Sequence, residues 1–245
     1  MIVLGIVGVC IGAISGFFGV GGGMILTPIL LLLGFDIKTA IGISIIQMVF
    51  SSVFGSYLNA KKGTLIIGEG IFVGLGGFLG GFLGGYITHY ISDMLLQYIF
   101  LGLLLFALFR LLSAPLVEDT QRTKQINKIV LFFLGTIIGV FSITLGIGGA
   151  IILTPILVGL LHYPLKKAIS ASLFFVVFSS IAGLISRLAN GTIDFEHGLV
   201  VAISSLFGVA LGIWLKEYIS STYHKRTLLL LYVLVIFVLI KKMWF

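Results

Sequence analysis

The first 35 residues carry no charged side chain; Asp36 is the first. As one straight helix such a stretch would be about 50 Å long, against a hydrocarbon core of about 30 Å. A segment this apolar belongs in lipid, and it must either tilt strongly or break and turn back. The cluster Gly19-Val20-Gly21-Gly22-Gly23 offers the place to break. A second uncharged stretch, 129–161, has the same excess length and its own cluster, Gly146-Ile147-Gly148-Gly149.

Composition narrows the class. Hydrophobic residues make up 59% of the 245 and charged residues 9%, against roughly 25% charged in an ordinary soluble domain. Eight acids and fifteen bases could not cover a soluble protein of this size. The expectation is an all-α membrane protein, multi-pass, in the cell membrane of a bacterium or archaeon. Its apolar runs fall near 1–35, 39–60, 65–88, 94–113, 129–161, 168–188, 197–215 and 227–240. The N-terminus lacks the basic region of a cleaved signal and is read as part of the mature chain. The net charge of +7 comes from bases in short loops, so membrane topology and not nucleic acid explains it. The single Cys10 can form no intrachain disulfide and no metal site; it is read as a small buried apolar residue. No metal or cofactor is expected. No zinc-protease, Walker or nucleophile-elbow motif is present, so an enzyme is not expected.

The two glycine clusters sit in a longer register. Thr27-Pro28 aligns with Thr154-Pro155, Ser15 with Ser142, Gly19 with Gly146 and Gly21-Gly22 with Gly148-Gly149, all at an offset of 127. One inserted residue makes the offset 128. Lys38 then meets Lys166, Ser44 meets Ser172, Phe50-Ser51-Ser52 meets Phe178-Ser179-Ser180, Gly63-Thr64 meets Gly191-Thr192, and Gly80 and Gly84 meet Gly208 and Gly212. Shared membrane composition does not hold Pro, Thr, Lys and paired Ser in register, so the expectation is two duplicated units of about four helical segments each. Their bounds are 1–113 and 129–245, joined by a cytoplasmic linker loop at 114–128.

Charge bias compares the two topologies. If all eight runs cross, the bases divide nine to six between the faces. If runs one and five are re-entrant, they divide eleven to four, with Lys38, Arg187, Lys241 and Lys242 in the minority. The second split obeys the positive-inside rule better. It leaves three crossings per unit, an odd number, so the units would be inverted, a recurrent transporter plan.

Broken backbone at membrane depth survives only when buried in protein or lining a wet cavity. A helix restarting after each break presents free N–H groups and roughly half a positive charge. Two such ends meeting from opposite faces would make an anion site without a buried lysine. The sequence allows two restarts: at Thr27-Pro28 and Thr154-Pro155 as cap and first residue, or at Gly22 or Gly23 with a kink at Pro28. The candidate binding set is Ser15, Gly21, Gly22, Gly23, Thr27, Ser44, Gln47, Ser51, Ser142, Gly148, Gly149, Thr154, Ser172 and Ser179. Gln47 stands out, because Phe175 is its counterpart in the second unit. For each hydroxyl alone, interhelical or backbone hydrogen bonding is the competing reading. Gly76, Gly80, Gly84 and Gly77, Gly81, Gly85, with Ser204, Gly208 and Gly212, read as helix-packing faces. Glu69, His89, Asp93, Arg187, Asp194, Glu196 and His197 lie near span ends. They are read as solvated interfacial side chains, with proton coupling through Glu69 or His197 as the alternative.

The doubled G-x-G-G-x-x-x-x-x-P element, Gly19 to Pro28 and Gly146 to Pro155, resembles the sulfite exporter TauE/SafE family of membrane permeases. Lys38-x-Ala40 and Lys166-x-Ala168 fit as well. The likeness covers nearly the whole chain and implies movement of sulfur-containing anions such as sulfite, thiosulfate and sulfonates. The second element has Ala150 where the first has Gly23, which would make the half-sites unequal. The expectation is a secondary transporter of a small sulfur-containing or organic anion, with the lipid bilayer as its other partner. A coupling proton or ion is left open. The rivals are an anion channel and an accessory subunit that transports nothing.

Overall fold

The computed structural model describes residues 1–65, 67–113, 127–159, 161, 163–189 and 193–244, with side chains excepted at 67, 69, 243 and 244. The described residues form ten α-helices and no strand. α1 (Ile2–Phe18) and α2 (Gly23–Leu32) are the two arms of the first broken segment. They are followed by α3 (Ile37–Lys61), α4 (Ile67–Tyr90) and α5 (Asp93–Ser113). α6 (Lys128–Thr144) and α7 (Ala150–Gly159) are the arms of the second, followed by α8 (Leu165–Ala189), α9 (Phe195–Tyr218) and α10 (Ser221–Trp244). Most of the linker expected at 114–128, and the pair Gly191-Thr192, lie outside the described residues.

Six helices, α3 to α5 and α8 to α10, are long and apolar enough to cross a membrane. Their outer faces carry exposed large apolar side chains, such as Phe207, Phe237 and Leu230 at 76%, 69% and 68% exposure. A surface of that kind is stable against acyl chains and not against water. Local chemistry starts several of the helices. Asp36 accepts from the Thr39 N–H at 2.9 Å, Asn127 from Ile129 at 3.0 Å and Asp194 from His197 at 3.1 Å, each the side-chain capping expected at a helix N-terminus.

Contacts between helix ends fix the directions. Lys38, at the start of α3, donates to the His89 carbonyl at the end of α4 (3.3 Å), and its own carbonyl accepts from Arg187 at the end of α8 (3.1 Å). Near the other end of α3, Asn59 accepts from Lys216 of α9 (2.8 Å), which also donates to Ser170 early in α8 (3.1 Å). α3 and α9 therefore run one way, and α4 and α8 the other. The face where α3 ends holds Lys61, Lys62, Lys166, Lys167, Lys216, Lys225 and Arg226, and is called the basic face below.

The broken segments turn back. Gly8, Gly12 and Gly16 of α1 lie against Val201, Ser205 and Val209 of α9 in rising order, so α1 runs parallel to α9. After α2, the Phe35 ring sits 5.3 Å from His197 at the start of α9. Both ends of 1–35 are thus on the face opposite the basic one. In the same manner Gly76, Gly80 and Gly84 of α4 meet Phe132, Thr136 and Val140 of α6, and α7 leads back to the start of α8 on the basic face. A Cβ at Gly12, Gly76, Gly80, Gly208 or Gly212 would lie 2.0 Å from a backbone carbonyl oxygen across the interface. Only glycine permits that approach, the small-residue packing of membrane helices. The expected packing faces are therefore real: those of Gly76, Gly80, Gly84 and of Gly208, Gly212 each join a long helix to the first arm of a broken segment, and that of Gly77, Gly81, Gly85 joins α4 to α8.

Two details depart from expectation. Cys10 is exposed on α1 and not buried, because the inward face of that helix is taken by the Gly8, Gly12 and Gly16 stripe. Arg187, expected at a wetted surface, is 2% exposed, because its helix ends against the start of α3.

Candidate substrate site at the two glycine breaks

The chain leaves α1 at Gly19 (φ 66°), whose N–H closes on the Ser15 carbonyl at 2.8 Å. It then passes Gly21 (φ 75°) and Gly22 (φ 82°) before α2. The second break repeats this at Gly146 (66°), Gly148 (76°) and Gly149 (73°). These left-handed angles suit glycine alone. The helices restart at Gly23 and Ala150, not at Thr27 and Thr154, and Pro28 and Pro155 lie inside α2 and α7. Of the two restarts the sequence allows, the tertiary structure selects the earlier.

A proline inside a helix leaves the carbonyl four residues back without its usual donor. For Pro155 that carbonyl is Ile151, and the buried Tyr232 hydroxyl of α10 donates to it at 2.9 Å. The register position of Tyr232 in α5 is Leu104, which has no hydroxyl to offer.

Both helix starts lie at mid-depth. The first bonds of α2 run from Ile25 and Leu26 to the Gly22 carbonyl (3.1 and 3.0 Å); those of α7 run from Ile152 and Leu153 to Gly149 (3.1 and 2.9 Å). The N–H groups of Gly23, Met24, Ala150 and Ile151 precede these bonds and so have no partner within their own helix. Gly21 and Gly148 both face Val176 and Met48, at the middle of α8 and α3. The second break also leans on the first: a Cβ on Gly23 would lie 2.0 Å from the Gly146 carbonyl oxygen. Ala150 has a real Cβ at the matching place, so the two halves are unequal here.

All the predicted side chains are buried at 1% exposure or less, and the five predicted glycines of the breaks are buried with them. Within that set two groups separate. Thr27 and Ser44 hydrogen-bond at 3.0 Å, and Thr154 donates to Ser172 at 2.9 Å, tying each inner arm to the long helix beside it. Ser51 donates to the Met48 carbonyl (3.3 Å), Ser179 to Phe175 (3.4 Å) and Ser142 to Ile138. These hydroxyls are satisfied within the protein, as the competing reading required. Ser15 and Gln47 are different. The Ser15 hydroxyl and both polar atoms of the Gln47 amide have no partner, although both residues are fully buried. The Gln47 amide is packed onto Gly22, where a Cβ would lie 2.4 Å from Oε1. At the second break Phe175 and Ser142 crowd Gly149 instead. One half of the centre is therefore polar and unsatisfied, and the other is aromatic and filled.

Sequence reasoning missed Met48 and Val176, which stand between the two breaks. They share one register position at offset 128, the signal that could have found them. It also missed Lys216, which falls just past the apolar run 197–215 and is 2% exposed. His197 lies at the opposite face, its Nδ1 2.6 Å from Asp194, and not at the centre. The Glu69 side chain lies outside the described residues. Among the described residues no His, Cys, Asp and Glu cluster could hold a metal. The arrangement gathers one unpartnered amide, one unpartnered hydroxyl and helix-start N–H groups, with no full charge among them.

Comparison with known proteins agrees in kind. Residues 4–239 match the family model of the sulfite exporter TauE/SafE. A probable membrane transporter protein of Methanocaldococcus jannaschii is 28% identical over 242 residues, covering 91% of this chain and 89% of the relative. The probable membrane transporter proteins YdhB and YunE of Bacillus subtilis are 25% and 23% identical, covering 82% and 86% of this chain and 84% and 86% of their own lengths. No solved structure matches the chain.

Proposed function

Because the chain belongs to the sulfite exporter TauE/SafE family of membrane transporters, we propose that it is a secondary transporter of small sulfur-containing or organic anions. Sulfite, thiosulfate and sulfonates are the class intended. The two units, 1–113 and 129–245, are proposed to be inverted duplicates that rock about the breaks to give alternating access. The matched helix lengths of the two halves (17, 10, 25 and 24 residues in each) support this reading.

Gln47 carries the proposal. A buried polar atom without a partner costs about 1–3 kcal/mol. Gln47, packed on Gly22 at the start of α2, has two such atoms, and Ser15 of α1 has a third. A solute that completes them would recover that cost. An anion would take the Gln47 amide N–H, the Ser15 hydroxyl and the N–H groups of Gly23 and Met24, where the helix dipole favours negative charge. Burial of the whole set fits an occluded carrier better than an open channel.

The test is flux into proteoliposomes across sulfite, thiosulfate, sulfonates and carboxylates, with and without a pH gradient. Saturable uptake of one of these is expected. Gly22→Leu and Gly149→Leu, each at a positive-φ glycine with no room for a Cβ, should abolish it, and thermal melts of both variants separate a blocked site from an unfolded protein. Normal transport in both variants would reject the role of the breaks. Unit conductance without saturation would make the protein a channel, and no flux with loss of another protein's activity on deletion would make it an accessory subunit.

A further inference from the structure

Lys216 is an uncommon residue for its place. It lies near the basic-face end of α9, and yet its side chain turns inward and is 2% exposed. Its ammonium donates to Asn59 Oδ1 at 2.8 Å and to Ser170 Oγ at 3.1 Å, both neutral. The neighbouring carboxylate does not neutralise it: Glu217 is paired with Lys62 at 2.7 Å, and its backbone carbonyl accepts from Lys166 at 3.2 Å. Among the described residues no acid is within ion-pairing distance of Lys216. A buried charge is normally paired, so this one is short of a negative partner.

The surroundings add donors. Asn59 is fully buried and its Nδ2 has no hydrogen-bond partner; the Ser56 hydroxyl, one turn deeper on α3, has none either. Ser170 and Thr64 share a hydrogen bond at 3.3 Å, and Thr64 closes onto the Asn59 carbonyl at 3.2 Å. From this cluster a line of buried polar residues follows α3 inward: Asn59, Ser56, Ser52, Ser51 and Gln47. Twelve helical residues separate Asn59 from Gln47, about 18 Å along the axis.

We propose that Lys216, Asn59 and Ser170 form a peripheral oxyanion station at the basic face, where the anion is held before or after it moves along α3 to Gln47. The inference rests on the anion-transport reading and adds a second binding place to it. The ammonium supplies the charge that the central site lacks, and the Asn59 amide supplies an oriented donor. In the repeat register Lys216 corresponds to Thr88, and Asn59 to Arg187. Arg187 is the one buried base at the opposite mouth among the described residues. Each mouth thus carries one buried cation, placed on a different helix.

Two substitutions test this. Lys216→Met keeps the shape and removes the charge. Asn59→Asp keeps Lys216 and puts a carboxylate beside it, satisfying the ammonium internally. Transport is measured in vesicles of defined orientation, with substrate offered at either face, and [35S]thiosulfate binding is measured on the purified protein. Loss of a charge-assisted contact should raise KM at the basic face about 10-fold or more in both variants, with KM at the other face little changed. Asn59→Asp should also raise the melting temperature, which a merely structural role for the cluster would not couple to a transport defect. If the wild type transports and both variants keep its KM at the basic face, the station is wrong and the transport reading stands. If the wild type moves none of the panel, the transport reading falls, and binding decides the station. Thiosulfate binding that Lys216→Met abolishes would uphold it; binding that is unchanged or absent would overturn it.

Discussion

Replacing Gly23 by alanine should destabilise this protein, although alanine is the better helix former. Gly23 opens α2 with ordinary helical geometry; it is not among the residues with positive φ. Local propensity therefore favours the change by up to about 1 kcal/mol. The tertiary contact opposes it. The new Cβ would lie 2.0 Å from the Gly146 carbonyl oxygen and 2.9 Å from Met48 Sδ, where ordinary contact begins at 3.4 Å. Met48 can shift, because it is a flexible side chain. Gly146 is backbone, held by its neighbours in the second break, and must retreat by more than about 1 Å. Overpacking of that kind costs typically about 1–3 kcal/mol. The net loss is about 1–2 kcal/mol, or about 2–8 °C in melting temperature for a chain of this length. Thermal unfolding of the detergent-solubilised protein measures it, and the same preparation measures flux, which should fall as the breaks are forced apart. Gly5→Ala, also helical but with nothing within 4 Å of its Cβ, is the control and should not lower stability. A Gly23→Ala protein that melts at or above the wild-type temperature would refute the claim that the two breaks touch.

Three further outcomes follow from single contacts. Gln47→Leu removes two unpartnered buried atoms, so it should hold or raise the melting temperature while cutting flux at least about 10-fold; a stable variant with normal flux would remove Gln47 from the site. Tyr232→Phe should cost about 1–3 kcal/mol by stripping the donor from the Ile151 carbonyl, and Pro155→Ala, which restores an N–H to that carbonyl, should make the same change nearly harmless in a double-mutant cycle. At Asp36, slight burial opposes ionisation, but hydrogen bonds from Thr39 and nearby backbone N–H groups outweigh it and hold the carboxyl below its ordinary range. Its capping contribution is thus full above the unfolded pKa of about 3.9 and is lost as pH falls through the lower folded value. Asp36→Ala should cost about 0.5–1 kcal/mol at pH 7, and melts recorded down to acid pH should converge with the wild type.

The broken segments were legible in sequence because their causes are local. A charge-free stretch longer than the bilayer must bend or tilt. Six of the eight positive-φ glycines among the described residues belong to the two clusters, since other side chains resist that conformation. The candidate polar residues were legible too: Ser15, Gln47, Thr27 and their counterparts are uncommon in such runs, and all proved buried. Which of them keep unsatisfied groups was not legible. Thr27 and Ser44 are 17 positions apart and bond only because α2 folds back along α3. Where the inner arms restart, at the glycines or at the Thr-Pro pairs, turned on packing; in α7 the Tyr232 hydroxyl, 81 positions from Ile151, supplies the donor that Pro155 lacks.

By itself, the sequence determined that the chain lives in lipid, that its first and fifth runs must tilt strongly or break, with a glycine cluster in each as the place to break, and which polar residues are candidates for a solute. These follow from hydrophobicity and backbone sterics, which act between neighbours along the chain. The tertiary structure alone decided that α1 docks on α9 and α6 on α4, that Met48 and Val176 stand between the breaks, and that Lys216 and Arg187 turn inward. Those outcomes depend on which face of one helix meets another, and the helices that meet are up to about 200 residues apart in the chain; no local propensity encodes a partner that distant.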